Sequence, residues 1–180
     1  MGTFLREILV ILLIAVALFL GIHYTVQNSE VISGSMEPTL NIGERVLVNK
    51  LAYRFGASSQ RGDIIVFIPP VSLNSTIDYI KRVIGLPGEM VELKGGRVYI
   101  HQPEGSIIEL NEPYVLNPSV HDYTSDVIPA GNYFVMGDNR NNSGDSRGGW
   151  TVTREDIVGK AWLIIWPPSD WGKAPNYSLS

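Results

Sequence analysis

The sequence predicts a mainly β protein with a single transmembrane helix at its N-terminus, and two observations support this prediction. Residues Ile8 to Leu20 form an unbroken apolar run, whereas the rest of the chain has short runs of β-branched and aromatic residues separated by Gly, Pro and Asn. The chain has 180 residues, of which 44% are hydrophobic and 18% are charged. This length and composition suit one domain with a real core, or one domain plus a small appendage, and they exclude a disordered chain.

The apolar segment is predicted to be a membrane anchor over residues 8–26. As an α-helix it would be about 28 Å long, close to the ~30 Å hydrocarbon core of a bilayer. A cleaved signal peptide is the main alternative, but the residues from Tyr24 to Asn28 make a poor cleavage site. A buried core helix would show a polar face, which this segment lacks.

The orientation follows from the charges beside the anchor. Arg6 favours a cytoplasmic N-terminus over residues 1–7, a bias that Glu7 reduces. Residues 29–180 are then expected to form one extracytoplasmic domain. Within it, the segment from about residue 92 to residue 131 is richer in Pro and acidic residues and is predicted to be an excursion inserted into a sheet domain.

Short apolar runs predict the strands of this domain. The predicted strands are Arg45–Val48, Asp63–Ile68, Tyr79–Ile84, Met90–Leu93, Arg97–Ile100, Asn132–Met136 and Ala161–Trp166. A hairpin is predicted around Lys94-Gly95-Gly96, because two glycines supply the positive φ angles of a tight turn.

Composition also limits the chemistry. The net charge of −4 gives no general attraction to nucleic acid. The absence of cysteine excludes disulfides, Cys-based zinc sites, iron–sulfur clusters and a cysteine nucleophile. Only three histidines are present, namely His23, His101 and His121.

Three polar stretches are candidates for a functional site. The first, Ser33 to Thr39, places two hydroxyl groups around Gly34 a few residues after the anchor, although Ser-Gly-Ser is also common in ordinary loops. In the second, Lys81 interrupts an apolar strand. A lysine on an apolar face either extends its charge to solvent or is buried with a lowered pKa, and the neutral amine is then a base.

The third stretch, Gly137 to Arg147, is the densest polar segment of the chain. It is interpretable as a calcium loop, although the closing Glu of an EF-hand is absent, or as a solvated loop. It is also interpretable as a support loop in which Asp138 or Asp145 pairs with Arg147 and a serine reaches the active site.

The histidines argue against one enzymatic mechanism. A Ser-His-Asp triad would require His101 or His121, and both lie in the less regular inserted segment. His23 lies in or beside the anchor. A serine–lysine pair needs no histidine and is therefore the better enzymatic interpretation.

Taken together, the motifs resemble those of bacterial type I signal peptidases, the membrane-anchored serine–lysine endopeptidases of the S26 family. After the anchor, four stretches occur in the family's order: Ser33–Leu40, Arg61–Phe67, Tyr79–Gly88 and Gly137–Arg147. The resemblance implies an all-β catalytic domain of coiled antiparallel sheets with a small inserted subdomain. It also implies a plasma-membrane enzyme that acts as a monomer on secretory preproteins beside the lipid bilayer, without metal or cofactor.

The resemblance also implies roles for individual residues. Ser35 matches the nucleophile and Lys81 the general base. The backbone N–H of Ser35 and the hydroxyl of Ser33 match the oxyanion hole. Dyad support is implied for Ser143, which would orient the lysine, and for Asp138, Asp145 and Arg147. The small substrate pockets are implied to include Val31, Met36, Tyr79 and Ile80, so cleavage is expected after Ala-x-Ala.

The sequence departs from the family at Ile32, where many members have proline. Two other functions are compatible with parts of the pattern. A self-cleaving repressor-type peptidase also uses serine and lysine, but the anchor argues against it. A membrane-tethered binding domain without catalysis is the other, and the complete set of Ser33, Ser35, Lys81 and Ser143 argues against that.

Overall fold

The computed structural model describes residues 2–54 and 56–179, and it confirms a mainly β chain with one N-terminal helix. Met1, at the start of the predicted cytoplasmic segment, and Phe55 and Ser180, in the predicted catalytic domain, lie outside the described residues. Helix α1 runs over Gly2–Thr25.

Helix α1 differs from the predicted anchor at both ends. It begins at Gly2 rather than residue 8, because residues 3–7 include neither glycine nor proline. It ends at Thr25, and Val26 is already the first residue of a strand, paired with Asn49. The portion Phe4–Thr25 is long and apolar enough to cross a membrane, with a mean hydropathy of 2.6.

In the described part of the chain, twelve strands follow the helix. They are β1 (Val26–Glu30), β2 (Arg45–Asn49), β3 (Ile64–Phe67), β4 (Tyr79–Gly85), β5 (Met90–Lys94), β6 (Arg97–His101), β7 (Ile107–Glu109), β8 (Tyr123–Thr124), β9 (Asn132–Met136), β10 (Val152–Thr153), β11 (Ile157–Trp166) and β12 (Gly172–Lys173).

The larger sheet has the order β1-β2-β11-β3-β4-β9-β10, with β12 paired to β11, and its pairs are antiparallel. All four residues of β3 are buried, as expected of a continuous apolar strand in the middle of a sheet. Strand β11 pairs with both β2 and β3, and its register shifts three times along these two pairings. Such irregularities bend a strand and increase its twist, and they give the sheet its curl.

The smaller sheet, of order β7-β6-β5-β8, lies in sequence between β4 and β9, where the excursion was predicted. The predicted hairpin joins β5 to β6. Gly95 and Gly96 have φ angles of 57° and 80°, and Lys94 pairs with Arg97 across the turn. The two sheets share one core, in which Ile84 and Phe134 of the larger sheet pack with Val91 and neighbouring residues of the smaller one.

The C-terminal segment Ala174–Tyr177 returns to the larger sheet. Asn176 accepts a hydrogen bond from the backbone N–H of Ile64 at 2.7 Å and donates one to the carbonyl of Ala161 at 2.9 Å. Tyr177 N–H donates to the carbonyl of Gly62 at 3.2 Å. A side chain at Gly62 would overlap the Tyr177 backbone, so glycine permits this close approach.

Candidate active site

Ser35 lies in the middle of a single 3₁₀ turn, Gly34–Met36. The extended residues before this turn are fixed at Val31. Its N–H donates to the carbonyl of Glu44, and its carbonyl accepts from the N–H of Gly43, both at 2.8 Å. Met36 is buried in the core below the turn. The nucleophile candidate is therefore held on a rigid support, with 7% of its surface exposed.

Lys81 reaches Ser35 from strand β4. Its Nζ lies 2.6 Å from Ser35 Oγ and donates to the carbonyl of Ile80 at 3.1 Å. Ile65 of β3 is its cross-strand neighbour, and the Tyr79 ring centroid lies 5.5 Å from Nζ. The side chain is thus enclosed largely by apolar groups, and Lys81 is only 4% exposed.

This enclosure changes the acidity of the amine. Burial lowers the pKa of Lys81 from 10.5 to about 8, because the charged form loses its hydration. The carboxylates of Asp145 and Asp138 oppose the effect by favouring the ammonium. The net result is an amine that is partly neutral near physiological pH, as a general base must be.

A cleft of about 360 Å³ opens onto the pair. The four residues predicted to form the substrate pockets all line it: Val31, Met36, Tyr79 and Ile80. Ser33 lines it as well, with its Oγ 3.3 Å from Ser35 Oγ. The structure therefore brings the predicted nucleophile, base, oxyanion donor and pocket residues to one cavity.

The loop from Gly137 to Arg147 closes one side of the cleft, and its two aspartates have different partners. Asp145 forms a bidentate pair with Arg147, at 2.8 Å for each bond, and accepts a bond from Gly137 N–H at 3.1 Å. Asp138 pairs instead with Arg82, at 2.6 and 2.9 Å. Both carboxylates are occupied by arginine, which favours the support loop over a calcium loop.

Ser143 lies in the cleft with Lys81, the residue that the resemblance implies it orients, and makes no hydrogen bond to it in this structure. Its Oγ is buried and has no hydrogen-bond partner among the residues that the structure describes. The side chain packs at Gly137, where an added Cβ would overlap both Ser143 and the carbonyl of Ser35. A glycine is therefore needed where the support loop crosses the nucleophile turn.

Sequence reasoning missed several residues that organise the site. Arg82 is completely buried and donates to the carbonyls of Gly62 and Pro175 in addition to Asp138. The ring centroid of Tyr114 lies 4.0 Å from its guanidinium carbon and that of Tyr177 lies 5.0 Å away. Arg82 lies inside the apolar run Tyr79 to Ile84, and an arginine buried in such a strand needs a partner of opposite charge. This position was the signal in the sequence that could have identified Arg82.

The histidines lie elsewhere in the fold. His101 is on β6 of the smaller sheet and contacts Glu92 at 2.7 Å. His121 lines a neighbouring cavity with Tyr123 and Arg147. Neither lines the cleft that holds Ser35, so the geometry favours the serine–lysine interpretation over a triad.

Comparison with known proteins gives a family match over most of the chain. The family model "Signal peptidase, peptidase S26" matches residues 4–166. A signal peptidase I of Leptolyngbya laminosa is 41% identical, with 91% of this chain and 82% of the relative covered. A probable signal peptidase I-1 of Synechocystis is 40% identical, with 98% and 90% covered.

Two further similarities are to proteins of Staphylococcus aureus and Enterococcus faecalis. Signal peptidase IB of Staphylococcus aureus is 36% identical, with 89% of this chain and 86% of the relative covered. A crystal structure of a signal peptidase I from Enterococcus faecalis is 33% identical and has a TM-score of 0.48, with 57% of this chain and 96% of that chain covered. From the family match and the curated relatives, the chain belongs to the signal peptidase family, peptidase S26, and is a peptide-bond hydrolase of the signal peptidase I kind.

Proposed function

We propose that this signal peptidase is a single-pass membrane enzyme that removes signal peptides after small-x-small sites, with Ser35 and Lys81 as its catalytic dyad. The observation that carries this proposal is the 2.6 Å contact between Lys81 Nζ and Ser35 Oγ in a cleft where the pKa of the lysine falls to about 8. A structural lysine is rarely buried without a carboxylate partner. In this structure, Lys81 has the serine hydroxyl and a carbonyl oxygen as its hydrogen-bond partners.

Acylation follows from this arrangement. The neutral Lys81 amine takes the Ser35 Oγ proton as Oγ bonds to the scissile carbonyl carbon, and the carbonyl electron pair moves to oxygen. The Ser35 N–H and the Ser33 hydroxyl donate hydrogen bonds to that oxyanion. As the tetrahedral intermediate collapses, the C–N bond breaks, Lys81 protonates the leaving amine, and the signal peptide remains as an ester on Ser35.

Deacylation reuses the same base. Lys81, neutral again, takes a proton from water, whose oxygen bonds to the ester carbon. The C–Oγ bond then breaks and Ser35 is regenerated with a proton from Lys81. No other acid or base is required, which fits a cleft that His101 and His121 do not line.

The shape of the cleft supports specificity for small residues. In an extended peptide, alternate side chains point to the same side, so the first and third residues before the cut would face the cleft together. Val31 and Met36 are buried and Ile80 is half-buried. These packed side chains form an apolar wall of the cleft that cannot move aside for a large substrate side chain. A methyl side chain fits such a wall, whereas the residue between the two points away, as an Ala-x-Ala site requires.

The N-terminal helix supports membrane anchoring. The family match begins at residue 4 and therefore includes the helix, which favours a retained anchor over a cleaved signal peptide. Strand β1 begins at the residue after α1, so no linker separates the helix from the sheet. With a cytoplasmic N-terminus in the plasma membrane, the cleft would face preproteins on the extracytoplasmic side, close to the bilayer.

The dyad is tested with purified full-length protein in detergent and a preprotein that carries an Ala-x-Ala site. We expect Ser35→Ala and Lys81→Ala to lose cleavage almost completely. The two residues act as a unit, so removing either one removes the contribution of both to the rate. Exposed residues of the same types provide controls, and Ser72→Ala and Lys94→Ala should cleave normally. Undiminished cleavage by either dyad variant contradicts the assignment and returns a base at His101 or His121 to consideration, whereas a wild-type protein that cleaves nothing would favour the binding domain without catalysis.

The orientation is tested separately, because the chain has no native cysteine. A single cysteine at Leu116, which is 68% exposed, should react in intact cells with a thiol reagent that does not cross membranes. A cysteine at Thr3, before the span, should react only after the membrane is opened. The reverse pattern contradicts the proposed topology without affecting the dyad.

A further inference from the structure

Asn139 connects the support loop to the nucleophile turn by two hydrogen bonds. Its backbone N–H donates to the carbonyl of Ser35 at 3.0 Å. Its side-chain Nδ2 donates to the carbonyl of Gly34, also at 3.0 Å. The two carbonyls that flank the Ser35 backbone are therefore both bound by this one residue.

The bond to Gly34 has a consequence for the N–H of Ser35. The Gly34 carbonyl and the Ser35 N–H belong to the same peptide unit, which is planar and trans, so the two bonds point in opposite directions. Fixing the carbonyl oxygen fixes the direction of the N–H. A hydrogen bond to that oxygen also polarises the amide and makes its N–H a better donor.

The support for Asn139 is rigid. The preceding residue, Asp138, is 1% exposed and is held by Arg82, which is 0% exposed. Arg82 in turn follows Lys81 on strand β4. The contacts close a circuit through three segments of the chain, here called the dyad circuit: Ser35, Lys81, Arg82, Asp138 and Asn139.

We propose that Asn139 is a positioning residue that aims the Ser35 N–H at the oxyanion of the transition state. The proposal rests on the proposed function, since it takes Ser35 as the nucleophile and its N–H as an oxyanion donor. Preorganised donors of this kind act in the transition state more than in the ground state. Removing the Nδ2 bond should therefore reduce kcat and leave substrate affinity nearly unchanged.

The test compares Asn139→Ala with the wild-type enzyme in detergent. We expect kcat to fall about 10-fold, less than the 10²–10³ of losing a donor, because the Ser35 N–H remains and the Gly34 carbonyl keeps its 3.3 Å bond from Glu37 N–H. A peptide aldehyde provides the second measurement: Ser35 Oγ bonds to its carbonyl carbon, the carbonyl electrons move to oxygen, and Lys81 takes the proton. Its affinity should fall by the same factor, whereas an uncleavable peptide of the same sequence should bind as before.

Asn141 provides the matched control. It lies in the same loop, and its amide bonds the carbonyl of Pro118 and the N–H of Val120 rather than the nucleophile turn. Asn141→Ala should keep the wild-type kcat and aldehyde affinity. The midpoint of the pH–rate profile should be the same in both alanine variants, because neither adds or removes a charge.

Asn139→Asp keeps the side-chain shape if the alanine variant does not fold. Its carboxylate has no N–H to donate to the Gly34 carbonyl. The affinity for the aldehyde, measured at a pH where Lys81 is neutral, should therefore fall at least as much as in Asn139→Ala. Wild-type aldehyde affinity in either folded variant overturns the inference, as does an equal loss of aldehyde and peptide binding. Full activity of Ser35→Ala would instead overturn the proposed function, so the two failures are distinguishable.

Discussion

The pH dependence of cleavage gives a sharp test of the buried lysine. With the pKa of Lys81 at about 8, about one tenth of the amine is neutral at pH 7 and about nine tenths at pH 9. At the ordinary value of 10.5, only about three parts in ten thousand would be neutral at pH 7. Burial therefore increases the reactive fraction about 300-fold at neutral pH, and cleavage should rise about tenfold from pH 7 to pH 9.

The assay is kcat/KM for an internally quenched peptide between pH 6 and pH 10.5, since this parameter reports the free enzyme. We expect a rise with slope one and a midpoint of about 8, retained in His101→Ala and His121→Ala. A midpoint near 6.5 that disappears in a histidine variant would indicate a histidine base. A rise that continues to pH 10.5 would show that the protein does not lower the pKa, and the reasoning from burial would be wrong.

Three further predictions concern the same site. Ser33→Ala should reduce kcat by about 10²–10³, measured with the same peptide, because one oxyanion donor is lost; a change below twofold would remove Ser33 from the oxyanion hole. Lys81→Met should unfold at a higher temperature than wild type at pH 7, since the folded pKa of about 8 lies below the unfolded value. Burying the ammonium destabilises the fold by about 3 kcal/mol below pH 8, and this loss of stability declines as the pH rises to 10.5. A stability difference between Lys81→Met and wild type that does not shrink over that range contradicts the prediction. Arg82→Met should destabilise the fold by about 3–5 kcal/mol in urea unfolding, because it leaves the Asp138 carboxylate buried without a partner, and Asp138→Asn in the same background should recover part of the loss.

Much of the fold was predictable because local chemistry and tertiary structure agree. Strand β3 is a continuous apolar run and is buried on both faces. The β5–β6 hairpin has two glycines where the turn needs two positive φ angles. The residues brought to the cleft were also predictable, because the family motifs contain Ser35, Lys81 and the pocket residues near them.

The parts that were missed depend on contacts between distant segments. Strand β1 has the polar sequence Gln27 to Glu30 after Val26, and it forms because β2 offers an edge to pair with. Strands β8, β10 and β12 have two residues each and carry no periodic signal. Arg82 and Asn139 act through partners that are 56 and 105 residues away in sequence, namely Asp138 and Gly34.

The C-terminal segment gives the site an order of assembly. A ribosome makes the chain from its N-terminus, so helix α1 is available to a bilayer while Pro175 and Tyr177 are still unmade. These two residues supply a carbonyl and an aromatic face to Arg82, which holds Asp138. The helix is therefore made before the surroundings of Arg82 are complete, and the site is finished only after synthesis has passed Tyr177.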